Sequence, residues 1–351
     1  MKKWVAGLLT AMLAMTLAAC GSGGGGGGGS GENGGNSQSS GTIELSYAFF
    51  APANTFPAVQ MEKWKTELET RTNGKVKVNL FPGGTLLNAQ NMFDGVTNGV
   101  ADIGLTATSY EPGRFPLYTL SDMPFGYPNA EVASKVVFDL IQQYPADALK
   151  DFKVITAFAT EPSFIQSKKR GGSTDELKGQ RLRIAGGNTA IVEVLGATPV
   201  GMSQAEALEA LQTGVIEGYV SSREVLKDMK YAEIVKYVTD YPLQITTFVA
   251  VMNKSKWDSL PADVQKVIDE LAPEMAAFAG SYLDSIVDES LQWSKDNHGV
   301  EIVSLSAEEK AKWDQYYEEL RQKVIDDLKS KGLPAEEYAA KVKELIAQYS
   351  K

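Results

Sequence analysis

Ile43-Glu44-Leu45-Ser46-Tyr47-Ala48-Phe49 is the stretch from which the fold follows. Ile43, Leu45, Tyr47 and Phe49 alternate with Glu44, Ser46 and Ala48, the period of a strand with one buried face. Asn54-Thr55-Phe56-Pro57 comes next as a helix start, with Pro57 in the first turn. Met61, Trp64 and Leu68 then fall on one helical face. The turn Asn73-Gly74 leads to Val76, Val78 and Leu80, again in alternation. Phe81-Pro82-Gly83-Gly84 forms a break before a helix through Met92 and Val96. Gly99 ends that helix, and Ala101-Asp102-Ile103-Gly104-Leu105 reads as a short buried strand. Strand, helix, strand, helix, strand is the order of a doubly wound α/β sheet.

The same order returns downstream. Lys153–Ala157 and Arg181–Ile184 read as strands, followed by a helix from Thr189 to Leu195. Ser203 is placed to cap a helix that ends at Gly214, and Val215–Val220 and Ile245–Met252 read as further strands. Pro261 and Asp263 open a helix whose apolar positions Val264, Val267, Ile268 and Leu271 lead on past Tyr282 to Trp293, with Pro273 expected to kink it. About 30 helical residues measure about 45 Å, longer than one lobe, so this helix is expected to serve two. Ser306-Ala307-Glu308-Glu309 reads as a capping box, opening a helix with Trp313, Tyr317, Leu320, Val324 and Leu328 on one face. A last helix follows Pro334.

The remaining features bound the function. Lys2 and Lys3 precede an apolar run from Trp4 to Leu17, and Ala18-Ala19 lead to Cys20, the only cysteine of the 351 residues. This pattern predicts a signal peptide over 1–19. It resembles a bacterial lipobox, which implies cleavage before Cys20, acylation there, and a lipid tether holding the protein outside the cytoplasm. Residues 20–41 are rich in Gly and Ser, with Gly23–Gly29 unbroken, and read as a flexible leash. The net charge of −10 argues against nucleic acid as a partner. With Cys20 lipidated no thiol remains for a disulfide, a zinc site or a nucleophile. The one histidine, His298, sits in Asn297-His298-Gly299, a helix end with Gly299 as its cap. No phosphate loop, GxSxG elbow or HExxH motif is present, and no metal or other cofactor is called for. The enzymatic reading that remains is an extracellular hydrolase using paired carboxylates.

One unit stands out: Leu177-Lys178-Gly179-Gln180-Arg181-Leu182-Arg183-Ile184, then Glu206-Ala207-Leu208-Glu209-Ala210-Leu211-Gln212-Thr213-Gly214-Val215-Ile216-Glu217-Gly218. Here the sequence resembles the solute-binding proteins of tripartite ATP-independent periplasmic (TRAP) transporters. Phe81–Gly84, Gly99–Ile103, Phe115-Pro116 through Met123-Pro124-Phe125, and Met252-Asn253-Lys254 with Trp257–Pro261 and Val264-Gln265 extend the match over about 42–348. The resemblance implies a two-lobed periplasmic-binding-protein fold: two doubly wound sheets, a cleft between them, and a long helix spanning both. Lobe I would hold 42–160 and 249–288, and lobe II 161–248 and 289–351. It also implies a monomeric, non-enzymatic receptor that delivers an organic acid to TRAP membrane subunits driven by an ion gradient. An ABC-type or sensor-coupled receptor is the nearest alternative.

Arg183 can be argued from the strand alone. In Arg-Leu-Arg-Ile, Leu182 and Ile184 share one face, and Arg181 and Arg183 the other. Arg183 stands near the strand's carboxyl end, where open α/β sheets bind ligands, and a guanidinium there offers a carboxylate a planar fork. The resemblance assigns Arg183 that clamp. The sequence departs from the family pattern elsewhere. Ser221 replaces the asparagine after the Val-Asp-Gly-type strand, and Thr160-Glu161-Pro162-Ser163-Phe164 lacks a second arginine. These departures turn the expectation from a diacid or polyhydroxylated acid towards a monocarboxylate with an aromatic or bulky apolar part, such as an aromatic amino or keto acid. Tyr47, Phe49, Phe50, Tyr110, Phe164, Tyr219 and Phe248 lie near strand ends, where rings would suit such a body. The candidate ligand contacts are therefore Arg183, Tyr47, Phe50, Tyr110, Glu161 (for a ligand amine), Ser163, Phe164, Asn188, Tyr219, Ser221 and Phe248.

Overall fold

A computed structural model describes residues 41–351. The expectations for the signal peptide, for lipidated Cys20 and for the leash up to residue 40 lie outside the described residues. The first elements are β1 (Ile43–Phe49), α1 (Phe56–Arg71), β2 (Val76–Phe81), α2 (Met92–Thr97), β3 (Ile103–Ala107), α3 (Pro116–Asp122), α4 (Ala130–Gln143) and β4 (Phe152–Ala159). The backbone then leaves for β5 (Phe164–Ser167), α5 (Thr174–Leu177), β6 (Arg181–Ile184), α6 (Ala190–Glu193), β7 (Thr198–Gly201), α7 (Ala207–Gln212), β8 (Gly218–Ser221), α8 (Val225–Asp228) and β9 (Tyr237–Asp240). It returns as β10 (Thr247–Asn253) and continues through α9 (Lys254–Ser259), α10 (Ala262–His298), β11 (Glu301–Ser304), α11 (Ala307–Ser330) and α12 (Ala335–Tyr349).

Two sheets result. The first has the order β2-β1-β3-β10-β4, with β1 parallel to β2 and β3, and β10 antiparallel to its neighbours. The second has the order β11-β9-β5-β8-β6-β7, with β6 parallel to β7 and β8, and β5 antiparallel to β8 and β9. Each sheet thus carries one reversed strand where the backbone passes from one to the other. The two crossing segments, around 160–163 and 241–246, bond to each other between the sheets. Thr160 N donates to Thr246 O (3.1 Å), Ser163 N to Gln244 O (2.6 Å) and Leu243 N to Ser163 O (2.8 Å). This short two-stranded neck is where hinge bending would concentrate.

The long helix is longer than its sequence period suggested: α10 holds 37 residues, about 55 Å. It runs through Pro273 without a break and ends on Gly299, whose φ of 64° takes the left-handed cap conformation. It packs on α1, α4 and β4 of the first sheet's layer and on α8 of the second. Where it crosses α4, a Cβ on Gly280 would lie 2.6 Å from the Ala130 carbonyl oxygen, so only glycine allows this approach.

The C-terminal segment departs from the expected lobe II placement of 289–351. β11 does join the second sheet, beside β9. The early part of α11 also rests there: Tyr241 donates to Asp314 Oδ1 (2.7 Å), and Tyr317 donates to Ile191 O (2.9 Å). α12 instead packs on α3 and α4, with Tyr338 donating to Ser121 Oγ (3.0 Å) and Tyr349 to Asp139 Oδ2 (2.6 Å). The apolar faces of α3 and α4 need a cover that their own sheet does not supply, and α12 provides it. The capping box at Ser306 is half formed. Ser306 Oγ accepts from Glu309 N, but the Glu309 carboxylate turns to Thr174 N (3.1 Å) and Oγ1 (2.9 Å).

Candidate functional site

The carboxyl ends of β1, β4, β6 and β8 and the facing start of β10 converge on one cavity. Phe49, Phe50 and Ala51 reach it from β1, Thr160 from β4, Arg183 and Ala185 from β6, Ser221 and Ser222 from β8, and Phe248 from β10. Tyr110, just beyond β3, and Thr55, Phe56 and Pro57 at the start of α1 complete that side. The empty space among these side chains is about 540 Å³ counting open solvent at the mouth, and the cavity itself is narrow, about 50 Å³.

Arg183 is 3% exposed although it carries a permanent charge. Nε donates to Met202 O (3.0 Å), Nη1 to Gln204 Oε1 and to Val220 O (3.4 Å), and Nη2 to the Tyr110 hydroxyl (3.1 Å). A guanidinium has five N–H donors, so these contacts use all but one. Among the described residues no carboxylate pairs with it. A buried cation held only by neutral oxygens has its hydrogen bonds but no direct ion pair, and the charge of Glu206 reaches it only at longer range. The Tyr110 oxygen also accepts from Gln204 N (3.1 Å), so its two lone pairs are engaged by the second lobe and its own proton points elsewhere. Gln204 Nε2 is buried without a partner.

The aromatic wall is continuous. Phe50 meets Tyr110 edge-on at 5.2 Å and lies parallel to Phe248 at 6.4 Å, and Phe56 meets Phe248 edge-on at 5.9 Å. These rings offer flat apolar surface held by its own edge-to-face contacts.

Of the expected contacts, Arg183, Phe50, Tyr110, Ser221 and Phe248 line the cavity. The others do not, for identifiable reasons. Tyr47 lies two residues before Phe49 on β1, fully buried with its ring 5.5 Å from Trp64. Tyr219 belongs to the second sheet's core, packed on Tyr231 at 4.8 Å and donating to Gln166 Oε1 (2.7 Å). Phe164 joins the same core and lies 4.4 Å beneath the Arg223 guanidinium. Ser163 sits on the neck rather than on the cavity wall, its backbone pairing with Leu243 and Gln244 and its buried Oγ without a partner. Asn188 instead ties the lobes, its Nδ2 donating to Asp122 Oδ2 (3.3 Å). Glu161 is not free for a ligand amine. Oε1 accepts from Arg223 N (2.7 Å) and Nε (3.1 Å), and Oε2 from Nη2 (2.7 Å).

Sequence reasoning missed Gln204, Glu224, Gln244 and Phe56. Gln204 follows a strand, β7, that the pattern did not reveal; applying the carboxyl-end rule to it would have found the residue. Glu224 is an acid set directly before the apolar pair Val225-Leu226, which is itself a signal. Its carboxyl is 3% exposed, and burial pushes it up from 4.5 to about 8. Burial likewise pushes Asp122 up to about 7. A folded protein that holds the Glu224 proton up to pH 8, where the unfolded state loses it near 4.5, binds more protons between those values. Its stability therefore falls as pH rises through that window. Glu224→Gln removes this contribution, so the variant should lose less melting temperature than the parent between pH 5 and pH 8. Parallel melting profiles would show that Glu224 is already ionised.

Among the described residues no helix is long and apolar enough to cross a membrane, and no cluster of His, Cys, Asp or Glu could hold a metal ion. The family of bacterial extracellular solute-binding proteins called family 7, or DctP, matches residues 47–327. A TRAP periplasmic solute-binding protein of Desulfovibrio salexigens DSM2638 is 42% identical, with a TM-score of 0.77 over 88% of this chain and 96% of that one. Its crystal structure is an open complex with the C-terminus of a symmetry mate in the ligand-binding site. A marine metagenome TRAP solute-binding protein specific for aromatic acids, in complex with metahydroxyphenylacetate, is 31% identical, with a TM-score of 0.83 over 88% of this chain and all of that one. The 2,3-diketo-L-gulonate-binding periplasmic protein YiaO of Escherichia coli (strain K12) is 28% identical over 70% of this chain and 76% of its own length. With 281 consecutive residues (47 to 327, inclusive) inside the family match, and two sheets meeting at a carboxyl-end cavity, this chain belongs to the DctP family of TRAP solute-binding proteins, which are substrate receptors of transporters and not enzymes.

Proposed function

We propose that this protein is the extracytoplasmic receptor that captures a monocarboxylate with an aromatic or bulky apolar body and delivers it to ion-gradient-driven TRAP membrane subunits. The observation that carries the reading is Arg183, a buried cation with no acidic partner among the described residues, set beside a wall of phenylalanine rings. The carboxylate would take over the guanidinium contacts now made by Gln204 Oε1 and Tyr110, and accept as well from Gln204 Nε2 and the Tyr110 proton. Phe50, Phe56 and Phe248 would flank the apolar body, with Ser221 at its edge. Two relatives support this chemistry: one holds an aromatic acid and the other the C-terminus of a neighbouring molecule. The cleft would close by bending at the neck, with Tyr110 bridging the lobes. In the same reading Cys20 carries the lipid, the receptor works as a monomer, and the leash keeps it close to its membrane partner.

A thermal-shift screen of the full-length protein tests the proposal. Benzoate, phenylacetate and phenylpyruvate are compared with the matching neutral amides. A carboxylate present at about 100 times its dissociation constant should add roughly 2.7 kcal/mol of stability, and the amides should add almost none. Equal shifts from acid and amide, or shifts from neutral sugars alone, would remove Arg183 from the centre of the account.

A further inference from the structure

Arg183 and Gln204 Nε2 explain a carboxylate, but the same cavity holds two further buried oxygens without hydrogen-bond partners. Glu224 leads into α8 directly after β8 and lines the cavity. Its Oε1 accepts from Ser222 Oγ (2.8 Å), whereas Oε2 is buried with no hydrogen-bond partner. The neighbouring cation, Arg223, is committed to Glu161 and does not pair with Glu224. Gln244, on the neck, is 1% exposed and lines the same cavity, and its Oε1 also lacks a partner. Buried polar atoms are ordinarily hydrogen-bonded, and leaving one unpaired costs about 1–3 kcal/mol. Unpaired atoms on a cavity wall therefore outline the polar groups of the molecule it fits. The donor beside the guanidinium outlines a carboxylate. Gln244 Oε1 outlines a group that carries its own N–H or O–H, and Glu224 Oε2 beside it outlines one that can donate to an ionised carboxyl or accept from a protonated one, as a hydroxyl does.

We propose that Glu224 is a specificity-determining residue that seats a hydroxyl or amine of the ligand, so that the preferred solute is a hydroxy or amino acid rather than a bare aromatic acid. This rests on the reading of Arg183 as the carboxylate clamp. The chemistry is compatible with either form of Glu224. A hydroxyl accepts from the protonated carboxyl and donates to the ionised one, while an ammonium group draws the proton off and leaves an ion pair. Gln244 is placed to take a second N–H or the far side of the hydroxyl. The role expected of Glu161 from the sequence thus passes to the acid that the fold leaves unpaired.

Isothermal titration of the full-length protein with matched acids tests this. Phenylacetate carries no donor. Mandelate adds a hydroxyl, phenylglycine an amine, and 3- and 4-hydroxyphenylacetate a ring hydroxyl; O-methylmandelate blocks the donor. At least one donor-bearing acid should bind about ten- to a hundredfold more tightly than phenylacetate, and for mandelate the methyl ether should lose the gain. The acid that gains most tells hydroxyl from amine. Glu224→Met removes the carboxyl, and Glu224→Asp retracts it while keeping an acid group should the methionine variant not fold. In either variant the gain over phenylacetate should shrink to about threefold or less. If phenylacetate binds as tightly as every donor-bearing acid, or the gain survives in the folded variants, the Glu224 assignment falls and the carboxylate reading stands. If no acid binds, both fall.

Discussion

Arg183→Ala should weaken monocarboxylate binding on the order of 10²–10⁴-fold. The lost interaction is a pair of charge-assisted hydrogen bonds in a desolvated site, each worth about 1.5–3 kcal/mol, and every 1.4 kcal/mol is about tenfold in affinity. Arg183→Lys should fall in between, at about 10–100-fold. Lysine keeps the charge but not the fork, and leaves the Met202 carbonyl without its donor. The unliganded fold should survive both changes, because a buried charge without a counter-ion contributes little net stability. Titration calorimetry with the strongest acid from the thermal screen, together with melting curves of the unliganded variants, checks this. Unchanged affinity in Arg183→Ala would mean that the carboxylate is held elsewhere.

The second large effect lies outside the cavity. Glu161→Ala strips both acceptor oxygens from Arg223 and leaves a largely buried guanidinium unpaired. Breaking one side of a buried pair costs about 3–5 kcal/mol. Arg223 keeps 22% of its side-chain surface exposed, so the lower end of that range applies, a fall of roughly 6 °C or more in melting temperature. The double variant Glu161→Leu/Arg223→Met removes the stranded charge and should be more stable than the single variant. If the single alanine variant melts like the parent, or the double variant is the worse of the two, the pair is not acting as a buried ionic unit.

The first sheet was legible because β1 and β2 alternate in sequence, β3, β4 and β10 are apolar runs, and glycine or proline marks many of the turns. The second sheet was harder. β5, β7, β9 and β11 are four residues each, too short for a period to register, and β7 carries Pro199 and Gly201. They exist because neighbouring strands and helices bury them, which no local pattern announces. The site divides in the same way. Arg183 could be found by combining alternation with the carboxyl-end rule, and Phe50 and Phe248 as rings close to strand ends. Tyr47 and Tyr219 share strand faces with the cavity residues Phe49 and Ser221 but lie two residues short of them, where Trp64 and Tyr231 enclose their rings in the core. Glu161 was a reasonable candidate for an amine until the fold brought Arg223, 62 residues away, against it.

The Tyr110 oxygen, which accepts at once from Arg183 and from the Gln204 amide, makes shape and grip inseparable. In the proposed reading, the atom that joins the two halves is also one that the guest would touch. A molecule that satisfies Arg183 but also breaks the bond from Gln204 N to Tyr110 would be held firmly in a jaw that stays ajar. Tightness of holding and suitability as cargo are then separate quantities, and the tightest binder of a series can be a blocker rather than a passenger.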